Sequence, residues 1–524
     1  MKKIIQYSQG FSFILLLLVS GFTGNNVQAQ SKGVSQWASL NANGNLTYKI
    51  LEKGDKIMDF SYAGYMGGGV KFPEVPVKLT VSPGGGDDAK TIQDAIDQVA
   101  KMSLVDGFRG AVVLKAGTYN CNKTLLISTS GVVLGGSGSD EKGTIINMTG
   151  EAHTGVTIKG APSTKVTGTP VSFSDAYVPS GAMSFNVKNG AAFKVGDQIR
   201  ITRPVTDKWV QFMGMDTLVR DGKKETWVGK ETTTERTVVK IEGNKITVDV
   251  PLTDSFDAGF LGPDGATVVT IKTSGEISQV GVENLRIVSA PKVATITESN
   301  NKGVNVNGAA DVWLKNIVII NTINSVGING NRVTAENVSI QHTVATIGAA
   351  KPADLVAGGR QILFDRCNIK GDNLFFFATG ARVAGPNVLL NCVFNGNGWI
   401  QPHQRWATGL LVDGCKVPDG GIYFMNRGEM GSGHGWTIGW AVAWNCSAKR
   451  FINQNPPGAV NWVIGSKGTR EQSAVPFHKL PLLPNGMYDS HGTPVAPLSL
   501  YLTQLAERLG PQAVTNIGYS SLSK

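Results

Sequence analysis

The chain predicts an all-β fold, a right-handed parallel β-helix with an N-terminal capping helix and an inserted β-hairpin subdomain, and three observations predict it. The first is a recurring phrase. It reads Glu283-Asn284-Leu285-Arg286-Ile287, Lys315-Asn316-Ile317-Val318-Ile319, Glu336-Asn337-Val338-Ser339-Ile340, Asp365-Arg366-Cys367-Asn368-Ile369, Leu390-Asn391-Cys392-Val393-Phe394, Val412-Asp413-Gly414-Cys415-Lys416-Val417 and Trp444-Asn445-Cys446-Ser447. The marked positions 285, 317, 338, 367, 392, 415 and 446 are 32, 21, 29, 25, 23 and 31 residues apart. A loose period with a minimum near 21, whose excess must be loops, is the signature of a solenoid. The second observation is that the marked residue and the one two places on are both apolar in each of the six phrases that reach that far. Arg286, Ser339, Asn368 and Lys416 stand between them, a period of two that means short strands, although Val318 and Val393 break the alternation. The third is Gly- and Asn-rich punctuation, which supplies tight turns. Leucine-rich repeats would need a Leu spacing that the chain lacks. Short strands stacked coil on coil at about 4.8 Å fit instead. On this reading Cys367, Cys392, Cys415 and Cys446 form an inward column of small buried side chains and carry no redox chemistry.

Composition sets the outer bounds. With 41% hydrophobic and 17% charged residues among 524, the chain folds, and its 65 glycines follow no collagen period. The formal charge of +10 favours an anionic partner. Lys2 and Lys3, the apolar run Phe11 to Val19 and Val27-Gln28-Ala29 read as a signal peptide over 1–29, so the protein is expected to be secreted or periplasmic. No Cys follows the cleavage point and no later run is long enough to span a bilayer, so no membrane anchor is expected. Nor is a nucleic-acid partner, and the chain is expected to be a monomer. Five cysteines, with no pair separated by two residues, argue against a disulfide scaffold and a zinc site.

In chain order, residues 30–78 form an N-terminal segment. A parallel β-helix is expected over 79–475, and Pro-rich text over 476–524 reads as a C-terminal capping tail with one amphipathic segment from Ser499 to Leu509. Ile92, Ala95, Ile96 and Val99 share one helical face behind Asp87 and Asp88, the capping helix. Gly110-Ala111-Val112-Val113-Leu114-Lys115-Ala116-Gly117-Thr118-Tyr119 follows as strand and turn, then Leu125-Leu126-Ile127 and Gly131-Val132-Val133-Leu134-Gly135-Gly136-Ser137-Gly138. This run of about 50 residues resembles the N-terminal cap and first coils of the pectate-lyase-like β-helix superfamily, where an acidic turn, an amphipathic helix, an "AGTY" turn and a "GVVLxGxG" strand recur in that order. The resemblance implies the fold and polysaccharide lyase or glycoside hydrolase relatives; it does not choose a reaction. Between about 186 and 255 the rhythm breaks, and Thr237 to Val248 reads as a hairpin turning at Gly243-Asn244, an inserted β subdomain.

Candidate chemistry concentrates where six of ten Trp and two of six His fall, between residues 399 and 462. Arg382, Arg405 and Arg427 lie 15, 13 and 12 residues past their Cys marks, close enough in phase to form a basic ladder for a chain of carboxylates. Arg360 and Arg450 sit at other phases. His403 and Asn426, each 11 residues past a mark, are expected to be neighbours. His434 lies on a glycine-rich loop. Uronate elimination needs a cation on the carboxylate, a base and an acid. The assignment is Arg405 or Arg427 with Asn426 on the carboxylate, His403 or His434 as base, and Tyr423 as acid or alternative base. Arg382, Trp399, Trp406, Glu429 and Trp436 are expected to bind the acidic polysaccharide. No cofactor or metal is expected: many lyases of the superfamily hold calcium with clustered Asp, and no such cluster lies nearby.

The rival reading is hydrolysis. Gly433-His434-Gly435-Trp436-Thr437-Ile438-Gly439 is similar to the "GHGxSIG" phrase of polygalacturonases, and Asn321-Thr322-Ile323 and Gly371-Asp372-Asn373 echo their "NTD" and "GDD" phrases. Two of three expected carboxylates are replaced, by Ile323 and Asn373, and an inverting hydrolase needs a carboxylate pair. Asp372, Asp413 and Glu429 are the alternative sources of one. Epimerisation shares the first proton abstraction, and a non-catalytic glycan binder would use the Trp cluster only to stack sugars.

Overall fold

The computed structural model describes residues 33–476 and 482–520. The expected signal peptide lies outside the described residues. One sheet of 25 strands winds through the chain as parallel ladders: Ile277–Val288 pairs with Lys302–Ile320, which pairs with Val326–Gln341, which in turn pairs with strands from Ala353 to Lys370. The later coils continue this order to Met487–Asp489. Parallel neighbours one coil apart define a β-helix, the architecture that the N-terminal run implies. No described helix is long and apolar enough to cross a membrane.

The recurring phrase is the corner of each coil. Asn284, Asn316, Asn337, Arg366, Asn391, Gly414 and Asn445, each one residue before a mark, all have φ between 50° and 64°. Asn and Gly tolerate this left-handed conformation best, so the corner selects them. The Asn side chains also bond along the stack: Asn337 Nδ2 donates to Asn316 Oδ1 at 2.8 Å, and Asn316 Nδ2 to Asn284 Oδ1 at 3.0 Å. After the corner the marked residue and the one two places on turn inward and are buried from Leu285 and Ile287 to Cys446 and Ala448. The four cysteines are free thiols in this column, each donating to a carbonyl of a neighbouring coil at 3.2 to 3.6 Å. Burial pushes the thiols of Cys392 and Cys446 well up. The column has an eighth member beyond the seven phrases. Ser466 is fully buried after Gly465 (φ 63°), and its hydroxyl accepts from the amide of Cys446 at 3.0 Å.

The helix Ala89–Ala100 buries Ala89, Ile92, Ala95, Ile96 and Val99 against the first coils. The interruption is larger than 186–255: an antiparallel sheet runs from Ser163–Val166 to Thr267–Ser274 around a core that includes Phe173, Phe185, Ile201, Val238 and Val268. Its hairpin, Glu231–Glu242 with Lys245–Val248, turns at Gly243-Asn244. The polar strand Ser163–Val166 carries no apolar alternation, which is why the sequence places the boundary late.

The C-terminal tail departs from its expected place. Among its described residues only Met487–Asp489 continues the coil; the helix Leu500–Leu509 lies along the flank with the N-terminal segment. Gly33–Val34 pairs with Val495–Ala496, Gln504 Nε2 donates to the Met58 carbonyl at 2.9 Å, and Tyr501 Oη donates to that of Ala63 at 2.8 Å. Together they cover the outward side chains of one wall, Leu363, Leu390, Leu411, Trp444 and Trp462 among them. The wall through Ala353–Ala357, Phe375–Thr379, Trp399–Ile400 and Lys416–Phe424 carries the site.

Candidate active site

Outward side chains of that wall line a trough of about 950 Å³. The register stacks Phe375 on Trp399, Trp399 on Gly421, Gly421 on Arg450 and Tyr423 on Ile452, so Trp399, Tyr423 and Arg450 line successive coils. His403, Arg427 and His434 come from the loops at the wall's edge. Five of the residues singled out in the sequence therefore meet here: Trp399, His403, Tyr423, Arg427 and His434.

Arg427 organises the centre. Its Nη1 donates to His403 Nδ1 at 3.1 Å and to the His403 carbonyl at 2.8 Å, and its guanidinium lies 5.4 Å from the Phe375 ring centroid. Because guanidinium only donates, His403 Nδ1 is an acceptor, which assigns the proton of the neutral ring to Nε2. Arg427 Nε makes no hydrogen bond, and burial lowers the guanidinium pKa to about 10. The imidazoles of His403 and His434 lie 4.7 Å apart between centroids. Burial, then the Arg427 charge, lowers His403 to about 4 and His434 to about 3. Both rings are neutral at neutral pH. His434 Nδ1 is buried without a partner. Burial raises the Tyr423 pKa, so its phenol keeps its proton.

The loop that delivers His434 requires its glycines. A Cβ on Gly431 (φ 62°) would lie 2.0 Å from His434 Nε2, and one on Gly435 (φ 55°) 2.4 Å from Trp227 Cδ1. Arg405 braces this loop: its Nη2 donates to the Ser432 carbonyl at 2.5 Å and Oγ at 2.6 Å, and its amide to the His434 carbonyl at 3.0 Å.

The remaining assignments are corrected. The arginine ladder does not form. The Arg382 amide donates to the Arg405 carbonyl at 2.8 Å, but the next residue in that stack is His434, not Arg427, and Arg382 lines a separate water-sized cavity with Thr234 and Thr408. Counting from the Cys marks fails because the ladder offset is 22 at Trp399/Gly421 but 31 at Ala407/Ile438, the loop that carries His434 lying between the two. Asn426 is buried, its Oδ1 accepting from the Gly428 amide at 2.8 Å, and its expected pairing with His403 falls instead to Arg427. Trp406 and Trp436 do not line the trough. Trp406 Nε1 donates to Asp254 at 2.8 Å, Trp436 Nε1 to the Met213 carbonyl at 3.0 Å, and both pack in one buried cluster with Trp209, from the helix Asp207–Phe212 of the insertion, and Trp227, from the loop beyond it. Glu429 is also buried, its Oε1 accepting from the Val219 amide and its carbonyl from Arg220. Arg450, set aside by phase, lines the trough 3.9 Å from Glu471, while Arg360 pairs with Glu235 at 3.2 Å. Phe375, Gln401, Arg220 and Lys351, also in the lining, carry no sequence signal that separates them from ordinary coil residues.

Lys351, Arg427 and Arg450 line the trough against one carboxylate of that lining, Glu471, so cations are in excess there, while Arg220 at its rim pairs with Asp221 and donates to the Glu429 and Gly431 carbonyls. Among the described residues no group of three or more His, Cys, Asp or Glu is placed to hold a metal ion.

No protein-family model matches the chain, and no curated protein does. Among solved structures it is similar to the tailspike protein gp49 of Pseudomonas phage LKA1, at 12% identity over 78% of this chain and 72% of that one, with a TM-score of 0.36. It is also similar to the polygalacturonase of Erwinia carotovora ssp. carotovora, at 11% identity over 80% and 96% with a TM-score of 0.34. The A-module of the Azotobacter vinelandii mannuronan C-5 epimerase AlgE4 matches at 10% identity over 80% and 98%, with a TM-score of 0.29. At these identities and scores the likeness carries no argument about activity.

Proposed function

We propose that the protein is a secreted polysaccharide lyase that cleaves a uronate-containing chain by β-elimination. The observation that carries this reading is the pair of neutral imidazoles, 4.7 Å apart, beside a guanidinium in a positively charged trough. Arg427 receives the uronate carboxylate and so acidifies the hydrogen on the adjacent carbon. His434, neutral and held by the glycine loop, takes that proton as base. His403 positions Arg427 through its Nδ1. The electrons of the broken C–H bond form the carbon–carbon double bond as the neighbouring C–O bond breaks, and Tyr423 gives its proton to the departing oxygen. A bound carboxylate also places a negative charge near His434, which raises its basicity at the moment it is needed.

Two features favour elimination over inverting hydrolysis. Glu471 is the one carboxylate among the described residues of the lining, whereas inversion needs two facing carboxyl groups. Asp413, Asp372 and Glu429 are absent from that lining. The test is ultraviolet absorbance on a panel of acidic polysaccharides, with and without a chelator. Elimination leaves an absorbing unsaturated uronate that persists in chelator. Reducing ends without absorbance would mean hydrolysis, and binding with neither signal a non-catalytic glycan binder.

A further inference from the structure

A second cavity, of about 380 Å³, opens where the N-terminal segment, the inserted sheet and the later coils meet, and it shares no lining residue with the trough. Its aromatic surface includes Phe212 and Phe260, stacked at 4.3 Å with 25° between their planes. Phe212 is 41% exposed, a large apolar ring at the cavity that the core does not use.

The polar side of the cavity is built in advance. Arg203 is only 5% exposed, its guanidinium lies 3.9 Å from the Trp209 ring centroid, and its Nε and Nη1 make no hydrogen bond. Its nearest carboxylate, Asp254, is 3.8 Å away, too far for a hydrogen bond. Asp254 is held instead by the indoles of Trp406 and Trp440, at 2.8 and 3.4 Å, and Asp257 by Lys53 at 2.8 Å. A carboxylate offers about four acceptor positions, so both retain capacity for further donors.

Charge separates this cavity from the trough. In the lining Glu52, Asp55, Asp254 and Asp257 outnumber Lys53 and Arg203, with Lys208 Nζ 5.7 Å from the Phe260 ring centroid, a carboxylate excess where the trough has a cation excess. A uronate would be repelled here. A ligand that presents apolar faces, donates hydroxyl hydrogens to carboxylates and accepts from a guanidinium, while carrying no charge of its own, meets every feature of the lining.

We propose that this cavity binds a neutral sugar residue, stacked on Phe212 and Phe260 with its hydroxyls shared between Asp254, Asp257 and Arg203. The site is separate from the elimination reading and needs no turnover to test. Isothermal titration of the full chain against cellohexaose, mannohexaose, galactohexaose and xylohexaose, with trigalacturonate and a glucosamine oligomer alongside, is expected to show saturable binding of at least one neutral member. That binding weakens about tenfold in Phe212→Ala and in Phe260→Ala, and is unchanged in His434→Ala. Thermal transitions of the two Phe variants are measured in parallel, so that whichever keeps the parent transition reads the site. The proposal is overturned if no neutral oligosaccharide binds, if binding survives both Phe variants unchanged, or if the acidic or amine-bearing oligomer is the one that loses affinity. Should both variants lose the thermal transition, competition decides: a neutral oligosaccharide displaced by trigalacturonate from the parent protein occupies the trough, which also overturns it.

Discussion

At the scale of single residues the site is governed by how far burial holds two imidazoles from their ordinary pKa. A base must be unprotonated to work, so its rate falls as pH drops through its pKa in the free protein. An unperturbed histidine would give that fall near about 6.5. With His434 lowered to about 3 and His403 to about 4, kcat/KM is expected to show no imidazole limb between pH of about 5 and 7. Initial rates at low substrate over this range check it, and an acid limb centred near 6.5 would sink the assignment. His434→Ala should lower kcat by about 10²- to 10⁴-fold. Gly431→Ala is expected to act through the same ring, because its Cβ would lie 2.0 Å from His434 Nε2. Its signature is a loss of turnover comparable to that of His434→Ala with the thermal transition kept, since Gly431 belongs to none of the buried clusters.

At the scale of the coil, stability rests on corners as much as on inward side chains. Asn316 has φ 51°, donates to Asn284 and accepts from Asn337. Asn316→Ala removes both bonds and places a side chain with no local hydrogen bond in the left-handed region, an expected cost of about 2 to 3 kcal/mol. Asn316→Gly keeps the conformation and loses only the bonds, so it should cost about 1 kcal/mol less. Denaturant unfolding orders the two; equal losses would mean that the corner geometry contributes nothing. This same corner is why the fold is legible in the sequence: an Asn or Gly followed by two inward residues recurs because every coil must turn there. The site is less legible. Tyr423, Trp399 and His403 are found because they cluster in sequence, but Arg427 is separated from Arg405 only by loop lengths that no spacing reveals. Trp406 and Trp436 look like sugar platforms for the trough until Trp209, Met213 and Trp227 of the inserted subdomain are seen to pack against them, Trp406 keeping an edge on the second cavity. The covered flank has a trace that period two hides. Ile362, Leu363 and Phe364 are consecutive and all buried, the pattern of a strand packed on both faces.

At the scale of the molecule the coil presents one wall to solvent as a trough and another to its own chain ends, and a buried carboxyl group links the second wall to the tail. Asp413 is fully buried where Ser499 Oγ and the Tyr501 amide donate to its Oδ2 at 2.7 and 2.8 Å, while Oδ1 has no partner. Burial pushes its pKa up to about 7. In the unfolded chain the same group titrates near about 3.9, so between these values the folded state holds a proton that the unfolded state has lost. Its contribution is therefore fully present below about pH 4 and is lost as pH rises through about 7. Asp413→Asn keeps an acceptor for Ser499 and Tyr501 and cannot ionise. Its melting temperature, measured against the parent from pH of about 5 to 8, should gain steadily on the parent as pH rises, because only the parent must bury a charge. Asp413→Ala leaves both donors unpaired and should lose about 1 to 3 kcal/mol at pH of about 5, a deficit that narrows as pH rises because this variant cannot ionise either. If the Asn variant and the parent keep a constant separation across the range, the carboxyl group is not the pH-sensitive tie between tail and coil.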